Sequence, residues 1–132
     1  MKNKYNVIVK APKNDRPRDY ELSAAQIIAD YFEANVFFLR PIPMKSPDLD
    51  VRGKIWELKS PTGNAKNTIH NNFKEARKQT LNIVIDLRRC RMHEIRALSR
   101  IRGEIKKRKR KKGRILVINK RGDVLDFSNL LR

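Results

Sequence analysis

The longest apolar runs in this chain are strand-sized. Val36 to Leu39, Ile83 to Ile85 and Ile115 to Ile118 fall far short of the roughly 20 residues that a membrane-spanning helix needs. No transmembrane helix is therefore expected, and short buried strands become the natural framework. Around them, Leu22, Ala25, Ile28, Ala29 and Phe32 recur at helical spacing and predict an amphipathic helix over about 21–34, ended by Asn35. Ile69, Phe73, Ala76 and Thr80 give the inner stripe of a second helix over roughly 66–80, and a basic helix follows over about 92–109, stopped by Gly113. Strands are read at 4–9, 36–40, 49–51, 54–60, 82–87, 114–119 and 123–127, with hairpins turning at Arg52-Gly53 and at Lys120-Arg121-Gly122. The β-branched run from Asn82 to Leu87 suits a strand buried on both faces. The order β, α, β, β, β, α, β, α, β, β predicts an α/β fold, a mixed central sheet flanked by helices. At 132 residues, this is one domain spanning 1–132 with a core over about 20–127.

Charge narrows the function. Thirty-two Lys and Arg stand against fourteen Asp and Glu, a net charge of +18, and the sequence pI is about 10.6. With 39% hydrophobic residues the chain still folds around a core, so a polyanion is the expected counterpart to this self-repulsion. Nucleic acid comes first and an acidic membrane surface second. Cys90 is the sole cysteine, which excludes an internal disulfide and a cysteine-based zinc site. His70 and His93 have no second His or Cys at ligand spacing and read as surface or boundary residues. Residues 1–9 lack the apolar stretch of a signal peptide, so export would depend on another segment.

The chemistry concentrates in Pro47-Asp48-Leu49-Asp50-Val51-Arg52-Gly53-Lys54-Ile55-Trp56-Glu57-Leu58-Lys59-Ser60. Period two puts Ile55, Glu57 and Lys59 on one face of a strand and Trp56 and Leu58 on the core side. A two-residue turn at Arg52-Gly53 then sets Val51 opposite Lys54, Asp50 opposite Ile55, Leu49 opposite Trp56 and Asp48 opposite Glu57. Opposed carboxylates repel unless something positive bridges them. Mg²⁺ or Mn²⁺ fits, because such ions take carboxylate oxygens plus water and substrate phosphate. Lys59 on the same face is placed to orient or help deprotonate an attacking water and to offset charge growing on phosphorus. The bland alternative makes Asp48 and Asp50 turn residues and Glu57–Lys59 a surface ladder pair. A second Glu-x-Lys, at Glu104-Ile105-Lys106, lies in a helical run of bases and reads as a solvated face.

Pro47-Asp48 followed by Glu57-Leu58-Lys59 resembles the PD-(D/E)xK nuclease signature, and the element order over 21–87 resembles that superfamily's common core. More closely, Ser46-Pro47-Asp48, Gly53-Lys54-Ile55-Trp56-Glu57-Leu58-Lys59-Ser60-Pro61, Gly63-Asn64, Lys66-Asn67-Thr68-Ile69 and Val84-Ile85-Asp86-Leu87 are similar to the tRNA-nuclease toxin domain at the C-terminus of contact-dependent growth inhibition proteins. The resemblance implies a metal-dependent ribonuclease with Asp48 and Glu57 as metal ligands, Lys59 as the catalytic cation and Asp50 as a further acidic member. It implies a tRNA substrate, a cognate immunity protein, export as part of a larger protein and action in the cytoplasm of a target cell. By the same resemblance Glu21, on the first helix, joins the metal site. Ser23-x-x-Gln26 alternatively reads as a capping box, which would leave Glu21 ahead of the helix to favour its dipole.

Substrate contacts are expected around this centre. The loop with Ser60, Thr62 and Asn64 precedes a helix and either presents hydroxyls and amides to phosphate or simply connects two elements. Asn67, Asn71, Lys74 and Lys78 lie opposite the second helix's apolar stripe, as a binding or merely solvated face, and Gln79 is a further polar candidate. The basic run from Arg100 to Arg114, with Lys107, Arg108, Lys109 and Arg110 within it, reads as an electrostatic clamp for an RNA backbone, or as a flexible loop for an acidic partner. Such a charge calls for an acidic immunity protein. Two rivals remain from the residues alone: a DNA endonuclease of the same fold, and a non-catalytic RNA-binding module.

Overall fold

The computed structural model describes residues 4–10, 16–39, 47–65, 67–76, 82–108 and 113–128. The end of the second helix with Lys78, Gln79 and Thr80, and Lys109 and Arg110 of the basic run, lie outside them. The elements run β1 (Val7–Val9), α1 (Asp19–Phe32), β2 (Val36–Leu39), β3 (Asp48–Val51), β4 (Lys54–Lys59), α2 (Thr68–Ala76), β5 (Ile83–Asp86), α3 (Glu94–Arg108), β6 (Ile115–Ile118) and β7 (Val124–Asp126). Element order and type match the expectation throughout, while most strands are one or two residues shorter at their ends. The described strands form one seven-stranded sheet in chain order, β1 to β7. The pairs β1–β2, β4–β5 and β5–β6 are parallel, and β2–β3, β3–β4 and β6–β7 are antiparallel.

The alternation of side chains sorts the core into two layers. On one face Val36, Phe38, Leu49, Trp56, Leu58, Val84, Leu116 and Ile118 pack with Ala24, Ala25, Ile28 and Ala29 of α1. On the other, Ile83, Ile85, Ile115 and Val117 pack with Ile69 and Phe73 of α2 and Ala97, Ile101 and Ile105 of α3. Both faces of β5 and β6 are therefore apolar, as parallel strands between helices require.

Helix α1 starts two residues before the expected position. Its N-cap is Arg18, whose backbone N–H donates to Glu21 Oε1 at 2.9 Å while its carbonyl accepts from the Glu21 N–H at 3.0 Å. Glu21 is thus the N3 partner of a cap, and the Ser23–Gln26 box is not used, because Ser23 already lies inside the helix. At the other end Glu33 adopts a left-handed conformation (φ 52°) and closes the helix. The Arg52 guanidinium reaches back to its final carbonyls, Phe32 O at 2.8 Å and Glu33 O at 3.4 Å, tying the β3–β4 turn to α1.

Candidate active site

The β3–β4 hairpin is in the expected register: Asp48 opposite Glu57, Leu49 opposite Trp56, Asp50 opposite Ile55 and Val51 opposite Lys54. The turn has the left-handed geometry of the favoured two-residue hairpin, with φ 53° at Arg52 and 82° at Gly53. Because Glu57 pairs in parallel register with Ile83, and Lys59 with Ile85, both side chains lie on the sheet face that α2 and α3 cover. This corrects one expectation. Glu57 shares a face with Asp48 and Lys59, but that face is not open to solvent, and Glu57 is 0% exposed.

A buried carboxylate needs a compensating charge. Lys59 Nζ lies 3.3 Å from Glu57 Oε1, with only 13% of the lysine side chain exposed. Asp48, across the strand pair, is half-buried; its carboxyl is pushed above its ordinary range by desolvation, partly offset by the charge of Lys59. The hairpin therefore collects two carboxylates and one ammonium in a place where negative charge is held at a cost.

The two further acidic candidates are engaged elsewhere. Asp50 Oδ1 accepts the Gly53 N–H at 3.0 Å and so fixes the turn, while Glu21 caps α1. Among the described residues, no three His, Cys, Asp or Glu side chains are gathered as a metal centre. In this structure the acidic pair is Asp48 and Glu57.

The loop after β4 is pinned at its middle. The Thr62 carbonyl accepts the Arg91 N–H at 3.2 Å, and the Gly63 carbonyl accepts from Cys90 Sγ at 3.5 Å. A Cβ at Gly63 would stand 2.7 Å from Thr68 Oγ1, so glycine permits this close approach to the start of α2. Ser60 is partly exposed, and Thr62, Asn64 and Asn67 are exposed. Lys74 lies on α2, and Lys107 and Arg108 on the last turn of α3.

Two features depart from the sequence reading or escape it. Glu104 is not solvated: it is buried, with its Oε1 2.6 Å from His70 Nδ1 of α2. Its place among Ala97, Ile101 and Ile105 at helical spacing carried that signal. Asp86, fully buried at the end of β5, receives Arg88 Nε at 2.9 Å and Nη2 at 2.8 Å. Arg88 also reaches Ser23 Oγ at 2.6 Å and the Tyr20 carbonyl at 3.1 Å, which joins β5 to the start of α1. An Asp closing an apolar strand is the trace this left in the sequence.

Helices on both faces of a mixed sheet, with an acidic pair and a lysine on the β3–β4 hairpin, define an α/β domain. The same fold occurs in a structure described as a CdiA-CT/CdiI toxin and immunity complex from Burkholderia pseudomallei, which matches with a TM-score of 0.62 and 18% identity over 93% of this chain and 98% of that one. The chain belongs to the contact-dependent growth inhibition CdiA C-terminal domain family, whose pattern it matches over residues 45–124. No curated protein matches it in sequence. Among the described residues no helix is long and apolar enough to cross a membrane.

Proposed function

We propose that this domain is a metal-dependent nuclease toxin of the PD-(D/E)xK kind that cleaves RNA, tRNA in particular. The observation that carries this reading is the register pairing of Asp48 with Glu57, with Lys59 3.3 Å from Glu57. The donor set fits a hard divalent cation: two carboxylates, one fully buried and one whose ionised form is disfavoured by burial, are the groups that Mg²⁺ or Mn²⁺ would stabilise. Asp48 and Glu57 would hold that ion. When bound, it supplies a polarised phosphoryl oxygen and a more acidic water.

The remaining work falls to the chain. Lys59, 3.3 Å from Glu57, places a positive charge beside the buried carboxylate, and its ammonium attracts a phosphate and offsets charge that grows on it during cleavage. The surface charge of +18 concentrates a polyanion near the site and accelerates encounter. The same charge favours an acidic immunity protein as the partner that protects the producing cell, and the related solved structure is itself a toxin and immunity complex. In this reading the domain is exported as part of a larger protein and acts in the cytoplasm of the target cell.

The test uses the full chain on a total tRNA pool and on duplex DNA, with Mg²⁺ or Mn²⁺ and with EDTA. Cleavage of tRNA that needs the metal is expected. Asp48→Asn, Glu57→Gln and Lys59→Met should each reduce it by 10² or more; Glu57→Gln and Lys59→Met each leave a buried partner without its counter-charge and should also lower the unfolding midpoint, so activity is compared at a temperature where every variant is folded. Full activity in Glu57→Gln would remove the site. Cleavage of DNA alone would favour the restriction-type rival, and salt-sensitive binding without cleavage would favour the binding module.

A further inference from the structure

Helix α3 carries a glycine that the fold does not ask for. Gly103 lies well inside the helix, where glycine is among the least favourable residues. A Cβ built there would meet nothing within 4 Å, so no neighbouring group demands its absence. It opens instead into a depression of about 920 Å³ along the flank of α3, bordered by Arg96, Ser99, Arg100 and Lys107. Positions 96, 100, 103 and 107 follow one another at spacings of four, three and four residues, one turn each, so they form a single stripe. With a rise of about 1.5 Å per residue, that stripe is about 16 Å long, or four to five steps of a duplex strand at about 3.4 Å each.

Charge and position both point to phosphate. Three cations border the depression, and the one carboxylate in its wall, Glu104, has its Oε1 directed at His70. Glu104 meets α2, and α2 and α3 cover the same sheet face on which Asp48, Glu57 and Lys59 lie. The end of the depression at His93 and Ile95 comes, after Met92, just beyond Cys90 and Arg91, which are hydrogen-bonded to the loop leaving Lys59. Ile95, 73% exposed, gives this end an apolar edge.

We propose that this flank of α3 is a shaped seat for a nucleic-acid phosphodiester backbone, with Arg96, Arg100 and Lys107 contacting phosphates spaced along it and Gly103 providing the clearance for the strand to lie against the helix. The seat rests on the nuclease reading for its role in substrate placement, but its binding is measurable without cleavage. It adds Arg96, Ser99 and Gly103 to the expected binding surface and assigns the glycine a function.

The experiment measures affinity of the full chain, in the Glu57→Gln background, for tRNA and for duplex DNA across a salt series. Gly103→Phe leaves the charge unchanged and should weaken binding about tenfold with the salt slope preserved. Arg96→Gln with Arg100→Gln should weaken it by tenfold or more and lower the log–log salt slope by about 2. Lys106→Gln with Lys120→Gln removes the same charge from other exposed positions and should have a clearly smaller effect. Equal losses on both nucleic acids support a backbone seat, and a loss on tRNA alone supports it and assigns RNA as its occupant. Unchanged binding by Gly103→Phe overturns the shaped seat, as does an equal loss in the Lys106 and Lys120 control. If only binding to poly-glutamate falls, the surface belongs to an acidic protein and the proposal fails. A wild-type chain that never cleaves, yet loses binding in these variants, would sink the nuclease reading and leave the seat standing.

Discussion

Glu104 and Glu57 show how burial changes the meaning of the same tripeptide. Both precede an apolar residue and a lysine, and both are buried. Glu57 Oε1 faces the ammonium two residues along its own strand, whereas Glu104 Oε1 faces a histidine on another helix. Acceptance by the carboxylate places the proton on His70 Nδ1, so the contact is a hydrogen bond in either charge state of the ring. Glu104→Ala should therefore cost about 1–3 kcal/mol, the scale for removing one partner of a buried polar contact. A solvated glutamate would give no such cost, so the measurement separates the two placements. Chemical denaturation measures the effect, and under the proposed nuclease reading the folded fraction should keep its cleavage and metal requirement. A cost below about 0.5 kcal/mol would be that of an ordinary surface change.

At the level of elements, the β3–β4 hairpin is the part on which the candidate site depends. Its turn needs a left-handed residue at both central positions, and Asp50 and Arg52 lock it from two sides. Gly53→Ala should lower stability by about 1–2 kcal/mol, the cost of placing a Cβ in the left-handed region. Gly53→Asn should recover much of this, because Asn tolerates that conformation. Comparison of denaturation midpoints decides the matter, and equal stability of the Ala and Gly forms would mean that the turn rearranges freely. The register was legible beforehand because a two-residue turn leaves no choice of partner: once Arg52-Gly53 turns, Asp48 must face Glu57. Burial of Glu57 was not legible, since period two says which side chains share a face and not whether helices cover it. The start of α1 was misplaced for a related reason. Ser23 has the side chain of an N-cap, but Glu21 satisfies the backbone two residues earlier, and only the packed structure chooses between them.

For the whole molecule, a net charge of +18 on 132 residues means that folding brings like charges together. Raising NaCl from about 0.05 to 0.3 M shortens the Debye length from over 10 Å to well below it. The unfolding midpoint should climb over that range while affinity for RNA falls, as thermal unfolding and a binding series would record. A falling midpoint would mean that ion pairs such as Arg88–Asp86 outweigh the repulsion.

The strand order has a consequence of its own. Every strand of the sheet lies beside its predecessor in the chain, so no strand has to be inserted between two that are already paired. The two border strands, Val7–Val9 and Val124–Asp126, are three residues each and hold few ladder bonds. Such a sheet can be unzipped from a border inward and rebuilt in the same sequence, each step closing a loop no longer than one crossover. Strand order alone therefore lets this sheet assemble without threading one strand between two neighbours.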